Sequence, residues 1–205
     1  KKEEFDISKQ KELAERYIKI DALKKNIEKL YSDILNINVT LDEEYKSRIV
    51  EVSTIFEIHK GSSKYTKAYI RNHIGEYPLY SSQTKNEGAI GYIDSFDYDK
   101  ECLTWTTDGI YAGTVFYRNG KFSMTTHCGD LIPKSDQFND IDLEFVFFQL
   151  KETLKDYATG EGNKRVTAEI IETVPINIPC DKNKNFDLTK QKEIVSKLKV
   201  IEEIK

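Results

Sequence analysis

Three histidines (His59, His73, His127), three cysteines (Cys102, Cys128, Cys180) and an acidic run (Asp94, Asp97, Asp99, Glu101) are the side chains of this 205-residue sequence that could support catalysis or hold a metal. His127-Cys128 invites a nucleophile reading with His73 or Asp108 as helper, but activating a thiol needs a base and an orienting group brought together in space. Polar residues at a strand end explain the pair more simply. The histidines are too spread for a zinc site and no CxxC pair accompanies them, so no metal is expected. The acidic run falls between two expected strands, where carboxylates solvate a loop. The four prolines (Pro78, Pro133, Pro175, Pro179) never form the Asn/Asp-Pro-Pro-aromatic motif of an amine methyltransferase. Gly88-Ala89-Ile90-Gly91 lacks the third glycine and the strand-to-helix setting of a phosphate loop, and there is no Walker motif. No catalytic residue and no cofactor is therefore expected in this chain.

What remains is a vocabulary for binding. Lys60, Lys64, Lys67 and Arg71 are interleaved with Tyr65 and Tyr69, and no acid intervenes from Ile58 until Glu76. Such a patch can hold phosphates through charge and hydroxyl contacts. Tyr80-Ser81-Ser82-Gln83-Thr84-Lys85-Asn86 adds the amides that pair with adenine edges and a lysine that reaches guanine acceptors. Asn163, Lys164 and Arg165 form a third, flexible and basic candidate, and Thr107, Tyr111, Thr126 and His127 lie at expected strand ends. Each segment taken singly is also an ordinary solvated turn.

The elements that must carry these loops can be read from periodicity. Leu13, Ile20, Ile27 and Ile34 fall seven apart, with Leu23 and Leu30 between them, so a heptad seam runs from Ser8 to about Leu35. At 1.5 Å per residue that helix is roughly 40 Å long and needs a partner. Its start, Phe5-Asp6-Ile7-Ser8-Lys9-Gln10-Lys11-Glu12-Leu13, returns as Phe186-Asp187-Leu188-Thr189-Lys190-Gln191-Lys192-Glu193-Ile194. Ser8 and Thr189 are the expected N-caps, and pairing of the two related helices would bury both seams. Between them, short β-branched and aromatic segments at Ala89–Ile93, Cys102–Thr106, Gly113–Tyr117, Lys121–Thr125 and Asp130–Ile132 predict a β-rich core. Asn119-Gly120 predicts a hairpin turn. Leu143, Phe147, Leu150 and Leu154 predict a helix packed on the sheet, and Val174–Pro179 an edge strand. The fold class is α+β, flanked by long coiled-coil-type helices.

The net charge of -4 gives no basic footprint over the whole chain, so any nucleic-acid surface must be local or shared with a partner. No apolar run is long enough to span a membrane. An odd number of widely spaced cysteines fits free thiols in a cytoplasmic setting. The opening at Lys1 and the stop at Lys205 inside a helical pattern suggest a piece of something longer.

The repeated helix start around a β-rich unit, with Gly75-Glu76-Tyr77-Pro78-Leu79-Tyr80-Ser81-Ser82, Gly88-Ala89-Ile90-Gly91-Tyr92, Thr106-Thr107-Asp108-Gly109 and Gly113 through Phe122 in that order, resembles the specificity subunits of type I restriction-modification enzymes. The resemblance implies a spacer helix over 1–40, a target recognition domain over 41–182 and the start of a second spacer helix over 183–205. It implies a non-catalytic, cytoplasmic subunit of a bacterial or archaeal system that reads one half of a bipartite site in double-stranded DNA. Methyltransferase subunits would dock on it and supply S-adenosylmethionine. A restriction and translocase subunit would bring ATP and magnesium. A second half-subunit, or a second copy, would pair through the helices. The specificity portion of a single-chain type II enzyme is a neighbouring reading. A different class is a coiled-coil adaptor whose β-rich domain, with Trp105 and tyrosines on a polar sheet, binds protein or carbohydrate.

Overall fold

The computed structural model describes residues 7–41, 46–135 and 139–204, without the side chains of 33–41 and 204. Helix α1 spans Ile7–Leu41, longer than the heptad pattern alone predicts. Its seam residues Leu13, Ile20, Leu23 and Ile27 are 53, 48, 61 and 63 % exposed in the single chain, and Leu30 is half-buried. The side chain of Ile34 lies outside the described residues.

The globular unit, within 45–196, opens with β1 (Ser47–Glu51), a single helical turn α2 (Val52–Ile55) and β2 (Phe56–Lys60). Helix α3 (Lys67–Asn72) starts at Thr66, whose side chain accepts from the Tyr69 amide. Strands β3 (Ile74–Tyr80), β4 (Ala89–Ile93), β5 (Tyr98–Thr106), β6 (Val115–Met124) and β7 (Cys128–Pro133) follow. They form one six-stranded sheet in the order β2-β7-β5-β6-β3-β4, antiparallel except for the β3–β6 pair.

The sheet curls strongly. Past β2, the Gly61 amide donates to the Cys128 carbonyl and the Ser62 amide to that of Met124, while the Thr125 amide donates to Tyr80. The ends of β2, β3 and β6 and the start of β7 therefore meet at one place. Inside the curl lie Cys102, Phe122, Met124 and Cys128, and Leu79, Ile93 and Tyr65 form an adjoining cluster.

The expected hairpin at Asn119-Gly120 does not form. Asn119 and Gly120 sit in mid-strand opposite Glu101 and Lys100, and β6 continues unbroken. Gly120 holds a positive φ of 102° within the strand, a conformation glycine enters freely. The long partner β5 overrides the turn preference because a continuous ladder satisfies backbone groups that a hairpin there would free.

Helix α4 (Leu143–Thr153) forms as the apolar spacing predicts, capped by Asp142, whose Oδ1 accepts from the Phe145 amide at 2.9 Å. After α5 (Ala168–Glu172) comes β8 (Pro175–Pro179), paired with β1 in a two-stranded sheet as an edge strand with proline at both ends should be. Helix α6 (Leu188–Ile204) begins inside the globular unit, with Gln191, Ile194 and Val195 buried. Its cap is Asp187, whose Oδ1 accepts from the Lys190 amide at 2.9 Å, rather than Thr189. The corresponding Ser8 stands inside α1. The last turns of α6, from Lys197, group with α1 in a second unit. No described helix is long and apolar enough to cross a membrane.

Candidate nucleic-acid interface

Beyond Thr106, at the end of β5, the chain is stitched to two distant segments. The Thr107 amide donates to the His127 carbonyl at 3.1 Å and the Val166 amide to the Thr107 carbonyl at 2.9 Å. Gly109 donates to the Lys164 carbonyl and to Asn163 Oδ1, while Thr159 and Arg165 exchange both backbone bonds. Beneath them the indole of Trp105 is fully buried, and its Nε1 donates to the Val166 carbonyl at 2.9 Å. Three loops far apart in sequence are thus fixed to one rigid strand end, the placement in which binding groups are held most accurately.

The stitching produces two hollows. One, of about 290 Å³, is lined by Lys60, Thr107, Asp108, Thr126, His127, Arg165 and Thr167. The other, of about 460 Å³, is lined by Thr84, Ile110, Tyr111, Ala112, Thr114, Lys155, Ala158 and Lys164. In the first, His127 Nδ1 lies 2.9 and 2.8 Å from the two carboxylate oxygens of Asp108. Nδ1 is therefore the donor, and Nε2 is left to accept from, or when protonated donate to, a ligand. Lys60 and Arg165 supply charge, and the threonines supply hydroxyls of either polarity.

Eight of the sequence-predicted residues come together here: Lys60, Thr107, Thr126, His127 and Arg165 in one hollow, Thr84, Tyr111 and Lys164 in the other. Asn163 instead braces the Gly109 amide. In the segment 80–86, Tyr80 is half-buried against Arg118, Ser81 is buried and accepts from Thr125 Oγ1 at 2.8 Å, and Gln83 Nε2 donates to the Ala89 carbonyl. Ser82 is half-buried, and Lys85 and Asn86 are exposed.

The first basic patch divides. Tyr65 is a core residue, 6 % exposed, whose hydroxyl donates to Asp97 Oδ2 at 2.5 Å and lies 2.9 Å from the Ser123 hydroxyl, from which it can accept, so it offers no surface contact. Burial and Asp97 push its phenol up. Lys64 donates to Asp97 Oδ1 at 2.7 Å, which holds the amine protonated. Lys67 and Arg71 are exposed on α3 and line neither hollow.

The catalytic alternatives are resolved by burial. Cys128 points inward and burial pushes its thiol up to about 12, so it is no nucleophile even though His127 and Asp108 do pair beside it. His73 bonds Asp94 at 3.2 Å and stacks on Tyr69. Among the described residues no three His, Cys, Asp or Glu side chains converge as metal ligands. Trp105, which the adaptor reading needs on the surface, has none.

Lys155 and Thr167 line the hollows although neither is among the binding residues read from sequence, while Asp108, read there as a possible helper of His127-Cys128, lines the first. Lys155 looks like a helix C-terminal charge and Thr167 like a cap, so no sequence signal distinguished them.

The family model for the type I restriction modification DNA specificity domain matches residues 43–205. The chain belongs to that family. Among its relatives is the specificity subunit of the type I restriction enzyme MpnII of Mycoplasma pneumoniae, 41 % identical over 130 residues, 63 % of this chain and 38 % of that one. The chain spans between 34 and 50 % of the length of the curated specificity-family relatives it matches first. The fold is shared with the HsdS subunit of Thermoanaerobacter tengcongensis (TM-score 0.65, 14 % identity, 96 % of this chain and 50 % of that one). It is shared also with the S subunit of the type I restriction-modification system of M. genitalium (TM-score 0.63, 19 % identity, 80 % of this chain and 41 % of that one).

Proposed function

We propose that this chain is the target-reading part of a type I restriction-modification specificity subunit, which contacts one half of a bipartite duplex site and performs no chemistry itself. The observation that carries this reading is the convergence of Lys60, Thr107, Thr126, His127 and Arg165, from four separate segments, around one braced strand end. Basic groups there take phosphates and fix register, while His127, the threonines and the exposed amide of Asn86 face base edges.

Methyltransferase subunits dock on the assembled protein and bring S-adenosylmethionine, and a restriction and translocase subunit brings ATP and magnesium. The exposed seam of α1 pairs with a second half-subunit or another copy and spaces the two half-sites, because a rigid rod between two readers fixes their separation along DNA. A mildly acidic chain is compatible with this if its partners share the phosphate contacts. All of these components work in the cytoplasm, where the DNA is.

The test is co-purification of the full-length subunit with its modification subunits, followed by binding to duplexes of known sequence. Target-dependent retention that weakens in Lys60→Ala and Arg165→Ala supports the reading. Binding by the modification subunits alone with the same sequence preference removes it.

A further inference from the structure

The loop between β3 and β4 has an unusual backbone. Asn86 (φ 49°), Glu87 (φ 53°) and Gly88 (φ 88°) stand consecutively in the left-handed region. Glycine enters it freely and asparagine tolerates it, but a glutamate stays there only when its surroundings enforce it.

The enforcing contact comes from β6. Arg118 is 4 % exposed, and its Nη2 donates to the Glu87 carbonyl at 2.6 Å while its Nε donates to Thr104 Oγ1 at 3.0 Å. Its guanidinium lies 3.5 Å from the centre of the Tyr80 ring and 4.5 Å from that of Phe116. Among the described residues no carboxylate forms an ion pair with it. Buried arginines are ordinarily matched to an acid. This one is held by the Thr104 hydroxyl, two aromatic rings and the Glu87 carbonyl of the loop. A planar guanidinium, unlike an ammonium, can stack on rings and still aim in-plane N–H groups at a carbonyl.

The loop is closed from its other side as well. The Ser81 amide donates to the Gly88 carbonyl at 3.0 Å, and a Cβ on Gly88 would stand 3.1 Å from the Gln83 carbonyl and 3.3 Å from Arg118 Nη2. Lys85, Asn86 and Glu87 remain exposed, and Thr84 lines the hollow with Tyr111 and Lys164.

We propose that Arg118 is a positioning residue for base recognition, a buried latch that presets the Ser82–Glu87 loop so that Lys85 and Asn86 meet DNA in a fixed geometry. The inference rests on the DNA-reading role argued above. A loop ordered before contact loses little freedom on binding. A bidentate amide-to-base contact also tolerates little displacement. Phosphate contacts tolerate more, so releasing the latch lowers discrimination between sequences while leaving non-specific affinity in place.

The experiment uses the full-length subunit assembled with the modification subunits of its own system. Affinity is measured for the target duplex, for a scrambled duplex and for targets carrying single base-pair changes. Arg118→Met removes the donors, Arg118→Lys keeps the charge and one donor group, and Gly88→Ala disturbs the loop from its own backbone while keeping the guanidinium, which its Cβ would crowd at 3.3 Å. The expected result is a loss of at least tenfold in the target-to-scrambled ratio for Arg118→Met and Gly88→Ala, with scrambled-duplex affinity within twofold of wild type. Arg118→Lys falls between, and the lost discrimination maps to one or two adjacent base pairs. An unchanged ratio in Gly88→Ala, with faster hydrogen exchange across residues 84–88, overturns the proposal even if Arg118→Met fails to fold. Equal losses on both duplexes also overturn it. A wild-type complex that does not discriminate at all removes the DNA-reading role itself, and the latch with it.

Discussion

Replacing Gly129 by alanine places a methyl group where the Trp105 ring already lies. A Cβ there would stand 2.2 Å from Cη2, 2.5 Å from Cζ3 and 2.6 Å from Cζ2 of that ring, about an ångström inside ordinary carbon contact. The ring is fully buried and its Nε1 is bonded to the Val166 carbonyl, so it can retreat only by breaking that bond or by dragging the adjoining Lys164–Arg165 segment with it. Overpacking a tight core costs about 1–3 kcal/mol, and stranding a buried donor and acceptor adds about 1–3 kcal/mol. At about 2–4 °C per kcal/mol for a unit of this size, Tm should fall by roughly 5–20 °C. Gly120→Ala is the control, since nothing lies within 4 Å of its Cβ position and only the positive φ resists substitution, at about 1 kcal/mol or somewhat more. Urea midpoints followed by circular dichroism separate the two, with the m-value unchanged. If Gly129→Ala costs no more than Gly120→Ala, Trp105 is not the anchor of the interface loops.

Other outcomes follow from the same geometry. Lys60→Ala and Arg165→Ala should each weaken binding to target and scrambled DNA alike and reduce the slope of log affinity against log salt by about 1, read from a salt titration. Asp130 is fully buried with Oδ2 unbonded, and burial pushes its carboxyl above the ordinary range against the downward pull of His59 and Lys100. A raised acid holds its proton more tightly when folded, so its stabilising contribution is present at low pH and is lost as pH rises through the folded pKa. The stability of Asp130→Asn relative to wild type should therefore increase with pH above the ordinary carboxylate range, and a pH-independent difference would count against it. Ile20→Asp combined with Leu23→Asp should abolish helix-mediated self-association or assembly in sedimentation while leaving the Tm of the globular unit within about 2 °C, because both side chains are exposed in the single chain.

Much of the scaffold was legible because local chemistry and tertiary structure agree. The strands around Cys102–Thr106 and Asp130–Ile132, the Asp142-capped helix and the proline-bounded edge strand all form where composition puts them. Local preference misleads where a distant partner overrules it. Asn119-Gly120 reads as a turn, yet β5 pairs straight through it. Thr189 suits an N-cap, but Asp187, two residues earlier, takes that position because α6 begins sooner. In the site, the basic and hydroxyl character of the loops was visible, while their convergence was not. Tyr65 looked like a surface aromatic among lysines, and only the curl of the sheet turns it inward to Ser123. Arg118 and Trp105 are a cation and an aromatic whose burial no periodicity announces, since both depend on loops arriving from more than 30 residues away.

The central claim is that this chain chooses the DNA sequence on which its partners act. The most direct measurement is a genome-wide map of methylated adenines in cells carrying the modification subunits, made without the full-length subunit, with it, and with its 45–196 unit replaced by that of another family member. A bipartite motif that appears only with the subunit, and changes in one half alone on replacement, is the predicted result. A motif that persists without the subunit, or survives the replacement intact, would contradict it.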